Sequence, residues 1–157
     1  MTIVRPFVSR YTNRVDAKGR ISVPARFREI LDGQGSRTIF ARASTTDPAI
    51  MVGGADWMAT IQSKINAHDP SSELHDDFAY AWLGDLSELS LDSEGRVMFP
   101  EHLMRHAGLD DAAAFIGKNQ CFEVWEPRAL EMRVLKARRS ATENRGKMQV
   151  KAEGSVP

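Results

Sequence analysis

Cysteine is almost missing from this chain of 157 residues. The single Cys121 excludes an internal disulfide framework and a cysteine-based zinc site. Long apolar runs are missing too, and Met1-Thr2-Ile3-Val4-Arg5-Pro6 has no signal-peptide core. No excess of one charge exists, since 21 basic side chains meet 21 acidic ones. Phosphate-cradling glycine loops and serine nucleophile elbows are absent. With 42% apolar residues the composition is globular, and a cytoplasmic protein is expected.

The zero total hides a pattern. Residues 1–42 carry nine Lys/Arg against three acids, residues 43–111 three against thirteen, and residues 112–157 nine against five. A basic head, acidic middle and basic tail suit a sided molecule that meets a polyanion on one side. The same pattern also suits a head that attracts the middle, within one chain or between neighbours.

The chain repeats itself. Val15-Asp-Ala-Lys-Gly-Arg-Ile-Ser-Val-Pro24 and Leu91-Asp-Ser-Glu-Gly-Arg-Val-Met-Phe-Pro100 align at a constant offset of 76 residues. Asp16, Gly19 and Arg20 fall on Asp92, Gly95 and Arg96. Each copy reads as an extended segment, a turn built on Asp and Gly, a return strand, and a short helix after the proline. Apolar pairs at Ile39-Phe40 and Ala49 to Val52 predict a second hairpin, echoed by Phe115-Ile116 and Phe122 to Trp125. Helices are expected near 56–67, 72–83 and 127–139, and a polar, disordered tail over 140–157. A unit of about 45 residues buries too little alone, so the two copies must share one core with their hairpins interleaved.

Two Asp-x-x-x-Arg elements in register, each followed by a strand, a proline and a helix, resemble the bacterial MraZ family. Glu123-Val-Trp125 before a helix and His106-Ala-Gly-Leu109 strengthen a resemblance that covers roughly residues 7–135. It implies an α+β fold of two tandem SpoVT/AbrB-like swapped-hairpin units forming one pseudo-two-fold β-barrel. Units at 8–55 (DNA-binding) and 84–127 (structural) would be joined by helices at 56–83, with a C-terminal helix at 128–139. It also implies a regulator, in the leading reading a repressor, of direct repeats in the promoter of the division and cell-wall gene cluster, including its own gene. The family assembles into rings, so the expected partners are double-stranded DNA, at the nucleoid, and other copies of the chain. Neither a membrane nor a small-molecule substrate is expected.

The two copies differ in charge. Across the offset Arg10 becomes Leu86, Arg14 becomes Ser90, Lys18 becomes Glu94, Arg26 becomes His102 and Arg28 becomes Met104. Residues kept in both copies, Asp16, Gly19, Asp92, Gly95 and Arg96, read as a structural turn motif. Arg10, Arg14 and Lys18 read as a DNA-binding set, because a two-stranded ribbon fits the major groove. Arg20 joins them because the resemblance puts the first Asp-x-x-x-Arg arginine on the DNA surface. A solvated strand face is the plainer reading of these cations.

His102 and His106 stand i, i+4 on a helix, but no carboxylate cluster or cysteine completes a metal site. Glu123 and Glu126 read as ordinary strand-end groups. No enzyme activity, cofactor or metal is expected. The basic tail reads equally as an arm on DNA or a solubilising end. The rival function is a protein-interaction ring in which the basic hairpin docks on the acidic middle of a neighbour.

Overall fold

The computed structural model describes residues 5–148. Strand β1 (Arg10–Arg14) leads through the first turn to β2 (Ile21–Ser22) and helix α1 (Ala25–Gly33). Strands β3 (Thr38–Ala43) and β4 (Ala49–Gly53) follow, then α2 (Ala55–Asn66) and α3 (Glu73–Phe78), which continues as a π-helical segment, Ala79–Gly84. The second copy supplies β5 (Ser87–Ser90), β6 (Arg96–Val97), α4 (Glu101–His106), β7 (Ala112–Lys118) and β8 (Cys121–Trp125). Helix α5 (Pro127–Glu143) and a 3-10 turn at Arg145–Lys147 close the described chain.

An antiparallel six-stranded sheet has the order β1-β7-β8-β4-β3-β5, and β2 pairs with β6 as a separate ribbon. Exchanging the copies (β1 with β5, β3 with β7, β4 with β8) reverses this order onto itself. The first strand of each copy therefore pairs with the other copy: Tyr11 faces Phe115, and Leu89 faces Ile39. Pro24 and Pro100, with φ of −52° and −53°, precede α1 and α4 as N-caps. Their carbonyls accept from the first-turn N–H groups of Phe27 and Arg28, and of Leu103 and Met104.

One core draws on both copies. The Phe27 ring stacks on Phe122 at 4.7 Å and meets Phe7 edge-on at 5.4 Å, beside buried Ile21, Val23, Val97 and Leu103. Two smaller clusters seat the outer helices: Trp57, Ile61 and Ile65 hold α2 against Cys121, and Leu130 of α5 packs on Ala49, Ala114 and Trp125.

Three expectations need correction. The sheet does not close into a barrel, because β1 and β5 stand at opposite edges. The ribbon of β2 and β6 is two residues long and meets the β1 end through the isolated Val15–Ile21 bridge and the Asn13 side chain, too little to carry a ladder around. The helix expected over 72–83 changes to π-helical geometry at Ala79, where Phe78 lies 4.5 Å from Trp82. Helix α5 outruns its expected end and runs to Glu143, its polar last turn satisfied along the helix, with Thr142 Oγ1 and Asn144 Nδ2 donating to the Arg138 and Ser140 carbonyls, both at 2.8 Å. The rest of the polar tail, 149–157, lies outside the described residues.

Candidate nucleic-acid interface

Strand β1 is a sheet edge, and its side chains alternate. Tyr11 and Asn13 turn inward, Tyr11 against the Phe27 ring at 5.3 Å and Asn13 Nδ2 donating to the Ser22 carbonyl at 2.7 Å. Arg10, Thr12 and Arg14 consequently share the exposed face. At the same positions β5 presents Glu88 and Ser90. The two related edges of the sheet thus differ in sign.

The turn after β1 is rigid. Asp16 Oδ1 accepts from the backbone N–H groups of Lys18 at 2.9 Å and Arg20 at 2.8 Å, and Oδ2 takes Arg20 Nε at 2.7 Å. Gly19, at φ +86°, donates to the Asp16 carbonyl and reverses the chain. The second turn repeats this: Asp92 accepts from the N–H groups of Glu94 and Arg96, both at 2.9 Å, and from Arg96 Nε at 2.8 Å, with Gly95 at φ +77°. Both aspartates titrate below their ordinary 3.8, chiefly because the backbone N–H of Arg20 or Arg96 binds the carboxylate, and they are ionised at neutral pH. Arg96 is pushed up, first by the hydrogen bond to Asp92.

The turns differ at Ala17 against Ser93 and, in charge, at Lys18 against Glu94. Glu94 reaches Arg96 Nη1 at 3.4 Å and answers its charge. Lys18 is exposed beside a shallow depression of about 460 Å³, lined also by Met98, Phe99 and Met104. Among the described residues Arg10, Arg14 and Lys18 form no ion pair. Arg20 is part of the turn, its Nε held by Asp16 and its side chain 30% exposed.

Arg5, Arg26 and Arg28 of the basic head are engaged elsewhere. Arg26 and Arg5 pair with Glu29 at 3.3 and 3.6 Å. Arg28 Nε donates to the Val23 carbonyl at 3.1 Å, and its guanidinium lies over Gly95, so it ties α1 to the second turn. Arg37 is exposed, in a hollow beside Asp32 and Asp92 near that same turn.

Arg42 is a surprise of the fold. It is 5% exposed, with its guanidinium carbon 5.6 Å from the Trp57 ring and 5.5 Å from the Trp82 ring. Nη1 donates to the Ala43 carbonyl at 3.2 Å, and Nε has no partner among the described residues. Burial is the main influence on its titration and pulls it down, opposed in part by Cys121, Asp85 and Glu123. The residue clamps β3 to α2 and the π-helical segment. In sequence it is one more arginine of a basic head; its only signal is an arginine between Ala41 and Ala43 in an apolar strand.

The glutamates are not ordinary strand-end groups. Glu123 is buried within β8, accepting from Trp125 Nε1 at 3.0 Å and Lys118 Nζ at 3.2 Å. Glu126 caps α5, binding the N–H groups of Arg128 and Ala129, which lower its titration. His102 faces Asp85 at 3.7 Å while His106 Nε2 meets the Asp47 carbonyl at 3.0 Å, so the two rings serve different partners. Among the described residues no three His, Cys, Asp or Glu side chains are grouped to hold a metal. The buried Cys121 thiol is pushed up to about 11, mainly by desolvation, and is no nucleophile at neutral pH. Among the described residues no helix is long and apolar enough to cross a membrane.

Comparison with known proteins agrees with the family resemblance. A family model described as "MraZ protein, putative antitoxin-like" matches residues 83–149. A Rickettsia canadensis protein named "Transcriptional regulator MraZ" is 39% identical over 139 residues, 88% of this chain and 93% of its own length. Proteins of the same name from Xanthobacter autotrophicus and Azorhizobium caulinodans are 37% and 39% identical, over 94% and 84% of both chains. The chain belongs to the MraZ family.

Proposed function

We propose that this protein is a sequence-specific DNA-binding transcription regulator that acts by binding, not by catalysis. In this reading it represses from direct repeats in the promoter of the division and cell-wall gene cluster, including its own gene. Residues 8–55 and 84–127 are two SpoVT/AbrB-like swapped-hairpin units. The first carries the DNA contacts Arg10, Arg14, Lys18 and Arg20; the second is structural. The relatives' name supports the regulatory role, and the exchange of β1 and β5 supports the tandem reading.

One observation carries the proposal: the exposed edge of β1 and its turn hold Arg10, Arg14 and Lys18 without ion pairs among the described residues, where the second copy has Leu86, Ser90 and Glu94. A cationic ribbon edge of this kind suits phosphates and guanine edges in the major groove. Three or four contacts give weak, salt-sensitive binding per protomer. Several protomers in one ring, each on a successive repeat, raise the effective concentration. Assembly is therefore part of the mechanism.

The test is a salt-titrated gel shift on DNA from just upstream of the protein's own gene, beside a scrambled repeat of equal composition. Preferential retardation of the native repeat is expected; equal retardation overturns sequence specificity. The rival protein-interaction ring draws on the acidic middle of the chain and makes the opposite prediction for Arg14→Ala/Lys18→Ala. Promoter binding should be weakened at unchanged particle mass, whereas under the rival the particle dissociates.

A further inference from the structure

The two copies differ in one more place, directly over their turns. A Cβ on Gly95 would fall 2.5 Å from Cδ and Nη1 of Arg28, whereas a Cβ on Gly19 meets nothing within 4 Å. The space over the second turn is filled, and the space over the first is open. The constant offset supplies the reason: the counterpart of Arg28 in the other copy is Met104. Met104 is uncharged and packs against the core, and it lines the depression of about 460 Å³ beside Lys18 and Gly19.

Met98 forms a second apolar wall of this depression. Ile21 pairs with Val97 and Ser22 with Arg96, and Ile21 and Val97 are both buried. The next residue along therefore turns outward, and continuing the register sets Met98 across from Arg20. Met98 is 54% exposed, and its counterpart in the first copy is the small, polar Ser22. Two charged side chains line the depression. Glu101 is paired with Arg105 at 3.4 Å, while Lys18 forms no ion pair among the described residues. The hollow thus joins an apolar wall from the second copy to a free cation from the first.

That combination narrows what can sit there. A free anion leaves Met98 and Met104 unused, and a purely apolar segment leaves Lys18 unanswered. The major groove of DNA offers both partners: phosphates along its rim and, on its floor, the C5-methyl group of thymine. We propose that Met98 reads thymine, its side chain packing on a thymine C5-methyl group while Lys18 beside it holds a phosphate. The inference rests on the DNA-binding reading above and adds to it a base contact from the second copy. Both groups stand on fixed backbone, Lys18 through its N–H bond to Asp16 at 2.9 Å and Met98 through the pairing of β2 with β6. Met98 meets no phosphate, so it sets sequence preference and leaves the grip to the first hairpin.

The test is an equilibrium titration of the full chain on the promoter repeat, made once with thymine and once with uracil at every thymine position. Uracil pairs identically and lacks only the methyl group. Wild type should bind the uracil repeat about four-fold more weakly for each protomer that contacts a methyl. Met98→Ser, which copies the first-copy residue, should lose a similar factor on thymine DNA and nothing further on uracil DNA. Met98→Leu should keep the wild-type preference, which separates an apolar contact from damage to the fold. The salt slope should be unchanged in Met98→Ser and shallower in Lys18→Ala. Equal binding of wild type to both DNAs overturns the proposal, as does a thymine preference that survives Met98→Ser. An equal loss on both DNAs in Met98→Ser would make Met98 a wedge or a structural residue and overturn it too. A changed particle mass in Met98→Ser would give the hollow to a protein and likewise overturn it. Failure of the underlying reading looks different: wild type would then not distinguish the thymine repeat from its scrambled form.

Discussion

The two turns share a backbone but differ in their surroundings, and a pair of glycine substitutions separates these contributions. Gly19 and Gly95 have φ of +86° and +77°, so Ala at either site takes on the left-handed strain of about 1–2 kcal/mol. A Cβ on Gly19 meets nothing within 4 Å, whereas on Gly95 it falls 2.5 Å from Cδ and Nη1 of Arg28. Arg28 must then swing away and release the Val23 carbonyl, a further loss of about 1 kcal/mol. Gly19→Ala should therefore cost about 1–2 kcal/mol and Gly95→Ala about 2–3 kcal/mol. With a urea slope near 2 kcal/mol/M, the two midpoints should differ by about 0.5 M. In an Arg28→Ala background the excess should vanish, since the side chain that had to move is gone. Equal costs for the two glycines, or an excess that survives Arg28→Ala, would refute the assignment of Arg28 as a clamp between the copies.

Phe27→Ala should cost about 3–5 kcal/mol, because a fully buried ring touching Phe7, Tyr11 and Phe122 leaves a cavity shared by both copies. Urea unfolding should show one cooperative transition shifted down; two separate transitions would contradict a common core. For Asp16 and Asp92 the folded-state titration lies below the ordinary 3.8, so their contribution to stability is present above that value and lost as pH falls below it. Asp16→Asn/Asp92→Asn should flatten the fall in urea midpoint below pH 3.8, and an unchanged acid limb would exclude these turns as its source. Ser90→Arg/Glu94→Lys copies the first hairpin's charges onto the second edge, where both positions are exposed. It should tighten DNA binding and steepen its salt dependence; unchanged binding would mean that edge cations are not what grips DNA.

Much of the architecture is legible because the repeat is. The constant offset between Asp16 and Asp92 already pairs the strands of one copy with those of the other, and the period of Phe27, Ile30 and Leu31 marks α1. Barrel closure is not legible, since it depends on how far β2 and β6 ladder, and Ile21-Ser22-Val23 reads the same whether two or five residues pair. The end of α5 is hidden for a local reason: Ser140, Thr142 and Asn144 look like a polar tail, yet Thr142 and Asn144 donate back to helix carbonyls. Sorting the cations is the hardest part. Arg28 over Gly95 and Arg42 between Trp57 and Trp82 have partners distant in sequence, so their charges look no different from those of Arg10 or Arg14.

The central claim is that the first hairpin, and not its duplicate, holds DNA. The most direct measurement is the slope of log affinity against log salt for the promoter repeat, with wild type, Arg14→Ala/Lys18→Ala and Glu88→Ala/Glu94→Ala compared at constant particle mass. Two lost phosphate contacts should make the slope of the first variant shallower by about 1.8 for each engaged protomer, at about 0.9 per contact. The second variant should keep the wild-type slope. A first-hairpin variant with wild-type slope and affinity would contradict the account.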